Sequence, residues 1–156
     1  MATDNSIISQ VETWAIGVLQ ALVDDAEVTR FKTVDHWKHQ IGEDNSGTES
    51  IDRFAPFAFV KCVPLEPERA GGYELNDRLR LMVAIGQKSK ANGVARLGDA
   101  NHLGTNQLRD LVIAALEDQH PGGDLTCDEF HYNGGREVVD RPRQHGLELY
   151  FDANNI

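Results

Sequence analysis

The chain has 156 residues, 40% apolar and 26% charged, which fits one soluble domain with room for a sizeable core. Its net charge of -10 argues against sequence-independent binding of nucleic acid and against docking on an anionic membrane, because both need clustered Lys and Arg. Two cysteines, Cys62 and Cys127, make no disulfide framework, and no apolar segment approaches the about 20 residues that span a bilayer. The polar start MATDNS does not read as a signal peptide, so the expected setting is a reducing cytoplasm.

The first expected element is a helix over Ser6 to Val23. Ile7, Ile8, Val11, Trp14, Ala15, Val18, Leu19 and Leu22 share one broad apolar face. Asp4, Asn5 and Ser6 are available N-caps, and Ser9 with Glu12 offers a competing capping box. Ser6 is preferred because Ile7 and Ile8 already lie on the stripe. Gly17 inside the helix costs about 1 kcal/mol relative to Ala and suggests close approach to another backbone.

A strand is expected over Val28 to Val34, rich in β-branched and aromatic residues. Gly42 to Asp52, GEDNSGTESID, reads as an acidic loop. Phe57 to Val63 is apolar on both faces apart from Lys61, the mark of a central strand, and Pro64 to Gly72 reads as its connection to an antiparallel neighbour. That neighbour, Tyr73 to Ile85, is the longest alternating run. Tyr73, Leu75, Leu79, Leu81, Val83 and Ile85 share one parity; Arg78 and Arg80 lie on the other.

Gln87 to Gly104 carries no periodic pattern, and a loop of that length in a compact domain is usually functional or disordered. It leads into the clearest helix, Thr105 to Gln119, whose Leu108, Leu111, Val112, Ala115 and Leu116 repeat at the three-four spacing. Thr105 or Asn106 is the expected cap. Arg109 near its start and Glu117 and Asp118 near its end are of the less favoured sign for the macrodipole, so burial must hold the helix. Three strands follow: Leu125 to Tyr132, a short return at Glu137 to Val139 after an Asn133-Gly134 hairpin signal, and Leu147 to Phe151. Two amphipathic helices and these strands imply an α+β domain, a mixed, mostly antiparallel four- to five-stranded sheet with two helices packed on one face.

Catalytic constellations are thin. His36 and His39 are three apart, and Cys127 and His131 four apart, and neither pair has the partners that a structural zinc site needs. A Cys-His nucleophile pair would have to meet in space, and nothing marks either cysteine as activated. Gly93, Gly98 and Gly104 precede a helix without the spacing or the Lys of a phosphate loop, so they read as turn glycines. No catalytic, cofactor or metal residues are assigned from the sequence.

One resemblance goes further. The N-terminal IISQVETWAIGVLQAL, the proline-led APFAFVKCV, RLRLMVAIGQ, the long loop into GTNQLRDLVIAALEDQHPG, and YNGGREVV with GLELYFD together resemble a phage tail terminator (tail completion protein) of the Mu-like, contractile-tailed type. The resemblance spans most of the chain. It implies a structural virion protein without catalysis, forming a homomeric ring, hexameric in the family, on the end of the tail tube. Such a ring stops tail growth, touches tube and sheath protein, presents the head-joining surface to a connector protein, and lets DNA pass without specific binding. It implies assembly in the host cytoplasm and residence in the virion tail. Under this reading Lys88, Lys90, Arg96, Asp99 and His102 of the long loop, and Glu43 and Asp44 of the acidic loop, are the expected subunit or tube contacts. The competing expectation is a small cytoplasmic protein-binding module, monomeric or dimeric.

Overall fold

A computed structural model describes residues 6–38, 46–70, 74–122, 125 and 127–155. Its centre is a five-stranded mixed sheet of β1 (Thr33–His36), β2 (Phe57–Ala70), β3 (Glu74–Lys88), β4 (His131–Arg141) and β5 (Gln144–Asn155). The spatial order is β1-β2-β3-β5-β4. Only β1 runs parallel to its neighbour, with Thr33 opposite Phe57; the other pairs are antiparallel. Among the described residues four helices accompany it: α1 (Ile7–Gln20), α2 (Ser46–Phe54), α3 (Val94–Leu97) and α4 (Thr105–Leu116).

The α+β expectation holds, and α1 and α4 pack on one sheet face. Alternation of side chains along a strand sends Ala58, Val60 and Cys62 of β2, Leu79 to Ile85 at odd positions of β3, and Leu149, Phe151 and Ala153 of β5 to that face. There they meet Val11, Ala15 and Leu19 of α1 and Leu108, Val112 and Leu116 of α4. Trp14 stacks on Phe130 with ring centroids 5.9 Å apart, which extends the core past the end of α4. At the start of α1 the Ser6 hydroxyl accepts from the Ser9 N–H at 3.1 Å, so Ser6 and not Ser9 is the cap. Gly17 needs another explanation than close packing: a Cβ built there meets nothing within 4 Å.

Several expectations fail for definable reasons. Residues 46–54, inside and just beyond the expected Gly42 to Asp52 loop, form α2 on the opposite sheet face. Ile51 and Ala55 bury themselves against Phe57, Phe59, Ala84 and Val139 in a second, smaller core, and tertiary burial overrides a weakly helical composition. The Phe57 and Phe59 rings stack at 4.4 Å, and Gly86 admits them: a Cβ there would lie 2.4 Å from the Phe57 ring. The expected Val28 to Val34 strand shifts to β1, with Val23 and Thr29 joined only by an isolated bridge. The Pro64 to Gly72 connection is in large part strand, since β2 pairs with β3 as far as Ala70 through an irregularity at Leu65/Glu68.

The Asn133-Gly134 signal makes no turn. It lies inside β4 beside a bulge between Tyr132 and Gly135. The real turn is Pro142-Arg143, closed by the Arg141–Gln144 pair, so the expected strand near Leu125 begins only at His131. The α4 cap is Gly104, whose N–H donates to Gln107 Oε1 at 2.8 Å; neither Thr105 nor Asn106 fills that role. The Thr105 hydroxyl instead contacts Nδ1 of the buried His145 and ties α4 to the β4–β5 hairpin. Arg109 recovers its unfavourable place on the helix by lying 5.2 Å over the Tyr132 ring and donating to the Tyr132 hydroxyl at 3.2 Å.

The sheet face opposite α1 and α4 is apolar only under α2. Farther along, it carries a polar ladder. Arg80 grips Asp152 through two hydrogen bonds of 2.8 and 3.0 Å and lies 4.8 Å over Tyr150. Asn133 donates to Asp152 at 2.7 Å, and Arg136 pairs with the buried Glu148 at 3.2 Å.

Candidate cleft between the long loop and the β4–β5 turn

The segment after β3 is a hydrogen-bonded structure. Gln87 is buried and donates to the Leu103 carbonyl at 2.9 Å, while His102 Nε2 meets the Lys88 carbonyl at 2.9 Å. Asp99 and His102 form a small bridge, tightened by the Asn101 N–H donating to Asp99 Oδ1 at 2.9 Å. Gly98 and Gly104 are required by proximity. At Gly104 a Cβ would stand 2.4 Å from the Arg96 carbonyl oxygen; at Gly98, which holds φ +75, a Cβ would stand 2.9 Å from the Gly104 nitrogen. The α3 turn fills the loop, with Ala95 buried at its centre.

This scaffold faces the β4–β5 turn. The Ser89 N–H donates to the Arg143 carbonyl at 3.0 Å and the Gly93 N–H to the Pro142 carbonyl at 2.6 Å. The C-terminal part of α2 closes a third side: Gln144 donates to Asp52 Oδ1 at 2.6 Å, and Lys88 Nζ donates to the Asp52 carbonyl at 2.5 Å. Between the three elements lies a cleft of about 970 Å³. Its charged lining comprises Lys88, Lys90, Arg141 and Arg143 against Asp52 and Asp99, a formal +2 with His102 neutral. On a chain of net charge -10 this is a local reversal of sign.

The expected contact residues therefore divide. Lys88, Lys90, Asp99 and His102 come together on the cleft wall. Arg96 is exposed on α3 and is not part of that wall. Glu43 and Asp44 lie outside the described residues, as does His39. Sequence reasoning missed Arg141, Arg143 and Asp52. Arg141-Pro142-Arg143 is a proline-interrupted run, and only its place in the β4–β5 turn brings it opposite Lys88.

The cleft is lined by charged heads on aliphatic stems and is open to solvent. Its chemistry suits carboxylates carried on a polypeptide, held by several cations in moderate contact with solvent. The cysteines contribute nothing to it. Burial, helped by the charges of Glu12 and Cys127, pushes the Cys62 thiol up to about 12, and burial likewise raises Cys127, so both are protonated core groups. Of the residues paired by spacing in the sequence, His36 Nδ1 meets Glu12 at 3.0 Å, and His131 Nδ1 meets Asp118 at 2.9 Å while Cys127 is buried; His39 lies outside the described residues.

Scans of the chain against protein-family models and against curated proteins find no match. Among the described residues, no helix is long and apolar enough to cross a membrane.

Proposed function

We propose that the protein is a structural tail-terminator subunit that closes the end of a phage tail tube as a homomeric ring, with the cleft between Gln87–Gly104 and the β4–β5 turn as its subunit contact. The observation that carries this reading is the gathering of Lys88, Lys90, Asp99 and His102 on one cationic wall of an otherwise acidic chain. A basic recess on a strongly acidic protein is complementary to the rest of that protein's own surface, so a second copy is a natural occupant. The α+β architecture is also the one that the resemblance implies. In this reading the ring is hexameric, its outer faces meet tube or sheath protein and the head connector, and DNA passes through without specific contacts.

The test is reconstitution on tail tubes. The protein is mixed with purified tubes and examined by negative-stain microscopy, expecting a ring at one tube end and a uniform tube length. A Lys88→Glu/Lys90→Glu variant should leave tube ends bare. Wild-type protein that neither caps tubes nor forms rings would overturn the proposal.

The alternative, a small binding module, draws on the same cleft: the cationic wall also fits an acidic peptide of another protein. It differs in leaving the chain monomeric or dimeric, with tube ends uncapped.

A further inference from the structure

The β4–β5 turn is braced from behind by a histidine and two carboxylates. His145, the first β5 residue after the turn pair, is buried, with its side chain only 2% exposed. Its Nε2 lies 2.6 Å from Glu137 Oε2, and its Nδ1 faces the hydroxyl of the buried Thr105. Asp140 is directly opposite His145 in the β4–β5 register, so the two share a sheet face. Glu137 and Asp140 are three positions apart and would point to opposite faces of a regular strand. A bulge between Glu137 and Val139 inserts one residue into β4, and this turns Glu137 to the face of Asp140 and His145. The ligand atoms of all three residues consequently lie within 4.8 Å of one another.

We propose that His145, Glu137 and Asp140 form a binding site for a divalent transition-metal ion, Zn2+ being the best match, that clamps the base of the turn walling the cleft. One imidazole with two carboxylates suits a borderline cation better than Mg2+ or Ca2+, which favour all-oxygen sets. Bonds of about 2.0–2.1 Å arranged tetrahedrally place ligand atoms about 3.3 Å apart, so the exposed Glu137 and Asp140 carboxylates need only adjust around a fixed ring. The fixed ring is what Thr105 supplies. When Nε2 binds a metal the ring proton resides on Nδ1 and donates to Thr105 Oγ1, the outer hydrogen bond that orients metal-bound histidines. Without metal the same atoms are satisfied by the other tautomer, Nε2–H donating to Glu137 and the Thr105 hydroxyl donating to Nδ1. The fourth position, on the exposed edge strand, is left to water.

A second group, Glu117, Asp118 and His131, also brings its ligand atoms within 4.8 Å. Its imidazole is 60% exposed and meets the exposed Asp118, which makes it the internal control. The experiment is calorimetric titration of the full chain with Zn2+, with Co2+ visible absorption as a second readout of coordination. Expected are one tight site and a raised melting temperature with metal. Glu137→Gln and Asp140→Asn, both on exposed side chains, should each weaken Zn2+ by about 100-fold, and Thr105→Val by about 10-fold through the outer hydrogen bond. His131→Gln should change nothing. Circular dichroism of each metal-free variant verifies the fold. Absence of binding heat at saturating metal excess would overturn the site. So would binding that survives Glu137→Gln and Asp140→Asn, or that disappears with His131→Gln.

Discussion

The two faces of β3 obey one alternation and have opposite fates. Leu79, Leu81, Val83 and Ile85 point into a continuous core under α1 and α4. On the other face Ala84 meets the small α2 core, while Arg80 spans to Asp152 and Tyr150. Energetics follow from this difference. The first face gains from apolar area removed from water, with no partner geometry to satisfy. The second gains from a few directed contacts that are partly open to solvent and sensitive to pH. The cleft stands where the sheet ends beside α2 and the β4–β5 turn, so the surface proposed for association borders the small α2 core and not the polar ladder.

Mutations can separate the two faces. Phe151→Ala removes a ring at the centre of the large core and should cost about 3–5 kcal/mol in denaturant unfolding. Ile51→Ala, fully buried in the small core, should cost about 2 kcal/mol and loosen the α2 side of the cleft. If Ile51→Ala costs as much as Phe151→Ala, the division into a major and a satellite core is wrong.

On the polar ladder, Asp152→Asn should cost about 1 kcal/mol at neutral pH. Its signature is in the pH dependence. Burial raises the Asp152 carboxyl, but hydrogen bonds from Arg80 and Asn133 and the charges of Arg80 and Arg78 outweigh it and hold the group below its ordinary value. A depressed folded value contributes stability that is fully present above the unfolded value, about 3.9, and is lost as pH falls through the lower folded value. Wild type should therefore lose stability more steeply than Asp152→Asn below about pH 3.9, while near neutrality the two curves run parallel, offset by the cost of the substitution. Identical acid limbs would remove the ladder's assigned role.

Gly17→Ala should add up to about 1 kcal/mol, because the position is helical and space around it is open. No gain would point to a contact at that face in the assembled protein. Comparably small, Lys88→Glu/Lys90→Glu should move monomer stability by about 1 kcal/mol or less, since both side chains are exposed and what is lost is the Lys88 bond to the Asp52 carbonyl.

How far the sequence could be read follows the same division. α1, α4 and the inward parity of β3 and β5 were legible because one-sided burial writes a period into the residues. α2 was not: SGTESIDRF looks like a loop, and only Ile51 and the neighbouring Ala55, pressed on Phe57 and Phe59, make it a buried helix. Asn133-Gly134 carried the right turn chemistry, yet long pairing along β5 overrode it, leaving an irregular strand in place of a turn. At the cleft, Lys88, Lys90, Asp99 and His102 were accessible as members of an unpatterned loop. Arg141, Arg143 and Asp52 were not, because they reach it through a hairpin and a helix whose boundaries local propensity misplaces. Glu137, Asp140 and His145 were invisible for a sharper reason: one bulged residue reverses the face on which Glu137 points, and alternation counted along the chain gives the opposite answer.

The central claim is that the cationic cleft joins copies of this chain. Light scattering on a sizing column, run across a wide range of protein concentration at low and high salt, tests it most directly. The account predicts a concentration-dependent ring of six subunits, weakened by salt and reduced to monomer by Lys88→Glu/Lys90→Glu while the fold is kept. A strict monomer at every concentration and salt, unchanged by the charge reversal, would contradict it.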